Sequence, residues 1–289
     1  MAPHKKNSRL LLNITLAIVI AILILLVVYE PGLEEDSTPP SLLKLDTEQI
    51  TEIRIVYNDE TIQLEKQNKK WMVVKPVIAE GNEFKINSLL GLAKTQSHAH
   101  YFTDEIELAP IRLDKPRSQV FFNGTEVAFG DTQPINHQRY VMADNVVHLI
   151  NDHYYHHTIS PAGNYVSFSL LPADSNINQI VFPDKSIIEN TKGKWDTKIN
   201  ISADDITSLI NEWKHAEAIE VKLYNEGKPE KKVAISIAGT EQPVIFFISK
   251  KDDDTWLINQ SLTLRYLLTQ DIAQKLLVPT SYIKPVIDK

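Results

Sequence analysis

The feature that most constrains this chain is that its second half restarts the pattern of its first. Ile177-Asn-Gln-Ile180-Val181-Phe182 answers Ile50-Thr-Glu-Ile53-Arg54-Ile55, and Trp195 follows Ile180 much as Trp71 follows Ile53. Each half then changes its apolar period from two to 3.6. Ile86, Leu89, Leu90 and Ala93 fall at i, i+3, i+4 and i+7, and so do Ile206, Leu209, Ile210 and Trp213, each set forming the stripe of an amphipathic helix. Beyond the helices, Gly239-Thr240-Glu241 echoes Gly124-Thr125-Glu126. The expectation is an α+β fold made by internal duplication. It has two tandem modules, 43–172 and 173–289, each of antiparallel sheet plus one main amphipathic helix.

Local chemistry marks the boundaries. Ile53, Ile55 and Tyr57 alternate, Thr61 to Leu64 and Trp71 to Val74 repeat the strand signal, and Asn58-Asp59 and Asn68-Lys69-Lys70 are the turns between them. Asn123-Gly124 marks a hairpin between Val120-Phe-Phe122 and Thr125 to Phe129. Asn82 and Ser202 are candidate helix N-caps, the latter with Asp205 three residues on, close to a capping box. Tyr165 to Leu170 alternates once more and ends at Pro172.

Ahead of the repeats lies Leu10 to Tyr29, LLLNITLAIVIAILILLVVY. At about 20 residues and ~1.5 Å per residue it matches a ~30 Å hydrocarbon core, so residues 10–29 are expected to be a single transmembrane helix. Residues 1–9 are then a cytoplasmic tail and 30–42 a linker rich in proline and acid. Lys5, Lys6 and Arg9 precede the run, and Glu30, Glu34, Glu35 and Asp36 follow it. The positive-inside rule therefore directs the bulk of the chain to the periplasmic face of a bacterial inner membrane. A cleavable signal peptide shares the basic-then-apolar pattern. Against it, the run exceeds ~7 to 15 residues and Val-Val-Tyr-Glu-Pro offers no small-x-small site.

Composition narrows the function classes. The 30 basic and 37 acidic residues give a net charge of -7. Without Lys5, Lys6 and Arg9 the balance is 27 against 37, or -10, so there is no electrostatic footprint for nucleic acid. With 0 cysteines, disulfides and thiolate chemistry are excluded. The 9 glycines form neither a phosphate-cradling loop nor a dinucleotide fingerprint, and neither Gly-x-Ser-x-Gly nor His-Glu-x-x-His occurs. No catalytic residue, cofactor or metal is assigned, and an enzyme is not expected.

Three clusters are the alternatives to a purely structural reading. In His153-Tyr-Tyr-His156-His157, beside Asp152 and with His98 and His100 in the same module, a helix would bring His153 and His157 to one face. That is a pair of imidazole ligands that a metal-dependent hydrolase could use, but no third ligand is placed, and a polar surface helix is the simpler reading. Trp71, Trp195, Trp213 and Trp256 lie in strand or helix periodicity and read as core, with a polysaccharide- or peptide-binding platform as the other possibility. Asp252-Asp253-Asp254 lacks the alternating spacing of a calcium loop and reads as a hairpin turn.

In the first module Trp71-Met-Val-Val-Lys-Pro76, the helix Ile86 to Ala93, Ile111-Arg-Leu-Asp-Lys-Pro116, Gly130 and Arg139-Tyr140-Val141 stand in an order of their own. In that order they resemble a bacterial domain-of-unknown-function family of single-pass envelope proteins, encoded beside gliding-type ABC-transporter auxiliary components. The resemblance covers residues 50–170 well and the second module weakly. It implies an accessory role beside a membrane transporter and carries no catalytic residues. One departure is Arg112, where the family pattern has a glycine before Leu113.

Overall fold

The computed structural model describes residues 5–29, 41–227 and 229–277, with side chains described in the first stretch from 10 to 25. The chain divides into two units, Met1–Pro40 and Ser41–Lys289.

The first unit carries the helix α1, Lys5–Tyr29. Its large apolar side chains from Leu10 to Leu25 lie between 46% (Val19) and 71% (Leu11) exposed. Among the described residues, no helix is long and apolar enough to cross a membrane. The transmembrane part of the expected fold is corrected accordingly.

The second unit is built from hairpins. Its first half runs β1 (Glu52–Tyr57), β2 (Glu60–Gln67), β3 (Lys70–Lys75), β4 (Ala79–Glu80), α2 (Glu83–Leu90), β5 (Ala99–Phe102), β6 (Ser118–Phe122), β7 (Thr125–Thr132), β8 (Gln138–Ala143), β9 (Val146–Asn151) and α3 (Tyr155–Thr158). Its second half runs β10 (Ile177–Val181), β11 (Ile187–Thr191), β12 (Lys194–Thr197), α4 (Ala203–His215), β13 (Glu220–Leu223), β14 (Lys232–Ile237), β15 (Val244–Lys251), β16 (Asp254–Asn259), β17 (Leu264–Leu268) and α5 (Gln270–Leu277). The hairpins β1–β2, β2–β3, β6–β7, β8–β9 and β11–β12 turn on two residues, and the turn chemistry explains why. Asn58-Asp59, Asn68-Lys69, Asn123-Gly124, Asp144-Asn145 and Lys192-Gly193 all take positive φ, the conformation whose twist matches that of the flanking strands.

The nine-stranded sheet has the order β4-β3-β2-β1-β6-β7-β8-β9-β5, and the eight-stranded sheet β12-β11-β10-β14-β15-β16-β17-β13. Apart from β4 the two orders are the same, strand for strand. Every strand pairing is antiparallel, with Ile55 opposite Val120 in the first sheet and Ile180 opposite Ile235 in the second. The expected α+β class is thus corrected to a mostly antiparallel β fold with few helices. Each repeat has one main amphipathic helix among eight or nine strands, and the helical stripe is the stronger signal per residue because a short strand shows only two or three alternations.

Both helices begin as their side chains dictate. The Asn82 side chain accepts from the Lys85 N–H and that of Ser202 from the Asp205 N–H, each satisfying one of the donors that a helix start leaves free. Their stripes are sealed: Ile86, Leu89, Ile206, Leu209 and Trp213 are buried in one continuous core with Ile53, Leu64, Trp71, Ile180, Val233 and Phe246. Truncating Leu89 or Leu209, each 0% exposed, costs ~2–5 kcal/mol.

The entry to each repeat is also duplicated, in residues whose likeness is easily passed over. Leu42 N donates to Thr95 O just as Leu170 N donates to Ala216 O, and Ser41 bridges to Gln96 as Ser169 does to Glu217. Ser41-Leu42-Leu43 and Ser169-Leu170-Leu171 are the same tripeptide, and all four leucines are buried.

Candidate functional site

The segment from Pro161 to Pro172 joins the two sheets, and its backbone positions a cleft beside α4. Asn82 N donates to Tyr165 O and Ser167 N to Glu80 O, both at 2.8 Å, which ties the segment to the β4 edge of the first sheet. Phe168 and Leu170 then pair with the residues that lead into β13. A Cβ at Gly163 would meet Val221 O at 2.0 Å, so only glycine allows the connector to lie this close to β13.

Past Leu170 the connector turns away and, with the C-terminal end of α4, encloses a cleft of about 610 Å³ lined by Ser169, Asp174, Asn176, Asn211, Lys214, His215 and Glu217 among others. Asp174 adopts φ 60° and Ser175 Oγ bonds Pro172 O at 2.6 Å, a compact turn that holds the wall. Lys214 and His215 occupy the last turn of α4, where the helix dipole favours cations, and His215 Nδ1 lies 2.9 Å from Asn211 O. The cleft therefore offers amides, a hydroxyl, an ammonium and two carboxylates on a backbone held by both sheets. Among the described residues no bond links Ser169 or Ser175 Oγ to an imidazole or carboxylate, which is the contact an activated nucleophile needs. The arrangement suits binding of a polar chain.

The histidine cluster is organised differently from its spacing. α3 begins at Tyr155, so His153 sits in the preceding turn, and His153 and His157 do not share a helical face. The reason is the neighbouring Asp152, which is held in two bonds by Arg139, at 2.5 Å from Nε and 2.9 Å from Nη2. Arg139 is 6% exposed, donates through Nη1 to Gly130 O and lies 3.7 Å over the Tyr155 ring. The His153 ring lies tilted against Tyr154, and that of His156 against His157. Burial, with His156, Lys85 and His153 adding to it, lowers the His157 pKa to about 4. Elsewhere, His98 Nε2 lies 3.1 Å from Asn151 Oδ1, and His100 on β5 is paired with the buried His148 on β9. Burial first, then His100, lowers the His148 pKa. Among the described residues, no group of three or more metal-ligating side chains comes together.

Trp71 and Trp213 are buried, and Trp195 and Trp256 half-buried. Trp256 lies 4.7 Å from the Arg265 guanidinium and 5.6 Å from Lys222 Nζ on the outer face of the second sheet. Asp252-Asp253 is the turn between β15 and β16. Sequence reasoning does not find the cleft, because its lining comes from a connector and a helix end that nothing local joins. Arg139 and His148 are legible in principle, as polar residues at inward positions of strands whose other inward positions are apolar.

Arg112, where the sequence resemblance leads to the expectation of glycine, has φ 56° and ψ 39°. The left-handed turn that glycine would serve is kept, with an arginine in it. Comparison of the chain with protein-family models, with curated proteins and with solved structures finds no match.

Proposed function

We propose that this protein is a non-enzymatic accessory protein of the bacterial envelope that binds a polar segment of a protein partner in the cleft between the connector and α4. The observation that carries the reading is the cleft itself: about 610 Å³, within the ~300–1,000 Å³ of ordinary ligand sites, its wall fixed by bonds to both sheets. Its lining has charges of both signs and no aromatic ring besides the His215 imidazole, which fits an amide-rich polypeptide better than the stacked face of a sugar.

In this reading the compact unit works on the periplasmic side of the inner membrane, beside a transporter of the ABC type. Support comes from the lack of cysteine and from the resemblance of residues 50–170 to the envelope family. A photo-crosslinking residue at Asn211 in the full chain tests the cleft. A single membrane-fraction polypeptide should be captured, and Lys214→Glu should reduce its yield about tenfold, the equivalent of one ~1.4 kcal/mol charge contact. Equal capture by Lys214→Glu refutes the assignment.

A further inference from the structure

The first repeat ends by filling a slot built on β4, and the second repeat, whose sheet has no counterpart of β4, leaves the corresponding edge at β12 uncovered among the described residues. In the first, Tyr165 to Ser167 lies against Glu80-Gly81-Asn82 immediately before α2, with Gly81 paired to Val166. Beneath it Trp71, whose carbonyl accepts from Gly81 N at 2.7 Å, is 2% exposed. Tyr165 itself is 1% exposed.

Superposing the N-caps Asn82 and Ser202 makes Asn200-Ile201 the counterpart of Glu80-Gly81. There the equivalent Trp195 is only half-buried, Ile199 and Ile201 are half-buried, and among the described residues no strand lies on the outer side of β12. A depression of about 340 Å³ at Asp196, Thr197 and Lys198 adjoins it.

We infer that this second slot is a strand-accepting site whose occupant is residues 278–289 of the same chain, which lie outside the described residues. Val278-Pro279-Thr280-Ser281-Tyr282-Ile283 repeats Ser160-Pro161-Ala162-Gly163-Asn164-Tyr165-Val166 with one residue fewer between proline and tyrosine. The starting point also corresponds. α5 packs on α4, with Lys275 Nζ 3.7 Å from Glu212 and Leu276 buried, as the turn Ala162–Tyr165 packs on α2. Reach is sufficient: Leu277 to Ile283 extends up to ~20 Å, and Glu212 back to Ile201 is ~16 Å of helix. The match prescribes the ligand chemistry, an aromatic followed by a β-branched residue, entering as an added strand. It is independent of the cleft at Lys214.

The cysteine-free full chain permits a direct test. With Ile201→Cys and Ile283→Cys, oxidation should close a disulfide within the monomer in most molecules, because facing residues of paired strands meet the required spacing. Glu80→Cys with Ser167→Cys is the reference pair in the first repeat. Tyr282→Asp should lower the yield of the 201–283 link about tenfold. A reference pair that closes while 201–283 stays open overturns the inference, as does a 201–283 link found only between two chains or undiminished by Tyr282→Asp.

Discussion

Gly163→Ala is the substitution that should most weaken the compact unit. An alanine Cβ there would stand 2.0 Å from Val221 O, 2.7 Å from Val221 C and 3.2 Å from Lys222 Cα. All three are backbone atoms, so no side chain can rotate aside. Restoring the 3.4 Å of ordinary contact requires the connector and β13 to part by 1.4 Å, the difference from 2.0 Å. Ala162, Tyr165 and Val221, now 7%, 1% and 1% exposed, would lose close packing on that side. Overpacking of this kind costs ~1–3 kcal/mol, and with the lost contacts we expect about 3–4 kcal/mol. Urea unfolding followed by tryptophan fluorescence measures it. Two glycines with nothing within 4 Å of a built Cβ calibrate the scale. Gly227→Ala should stay within ~0.5 kcal/mol of the parent. Gly124→Ala, at φ +89°, should lose about 1 kcal/mol through backbone conformation alone. A Gly163→Ala protein as stable as Gly227→Ala would refute the close approach.

Stability should also fall with acid through His157. Unfolded, this histidine takes up its proton near pH ~6.5, whereas in the fold it stays neutral down to about 4. The folded form is then disfavoured as pH drops from ~6.5 toward 4, by about 1–2 kcal/mol after allowing for solvent at a half-exposed ring. His157→Gln should flatten that slope in denaturation midpoints taken between pH 7 and 4, while His148 keeps a smaller one of the same sign. Asp152→Ala removes two of the bonds to the buried Arg139 guanidinium and should cost about 2–4 kcal/mol, read by thermal unfolding. Arg112→Gly should raise stability by about 0.5–1 kcal/mol, since glycine takes the left-handed backbone without strain, and the exposed contact to Asp131 at 3.7 Å is a small loss.

What the sequence discloses is whatever short-range chemistry decides. Asn82 and Ser202 cap helices because their side chains reach N–H groups three residues on, and Asn-Gly or Asn-Asp pairs turn hairpins because they tolerate positive φ. The overall class is harder to read, because many weak signals have to be summed. β4 has two residues and β5 four, too few for an alternation to show. The spacing of His153 and His157 gives a shared face only if the helix starts two residues before it does, and a long-range ion pair from β8 holds Asp152 in a turn instead. The cleft is hidden for the same reason: its walls are brought together by Ala218 and Leu170, which bond across the gap between connector and helix end.

The hydrogen bonds of the connector divide at one point. Residues up to Ser167 pair with the first sheet, and those from Phe168 onward with the second. A single connector therefore completes the first repeat and initiates the second, so that the first repeat begins at a Ser-Leu-Leu entry and ends with a Tyr-Val closure. Such a unit is self-sufficient at both ends. Copies can be added in series without designing a new interface, as links are added to a strap, and the length of the protein becomes a quantity that gene duplication alone can adjust.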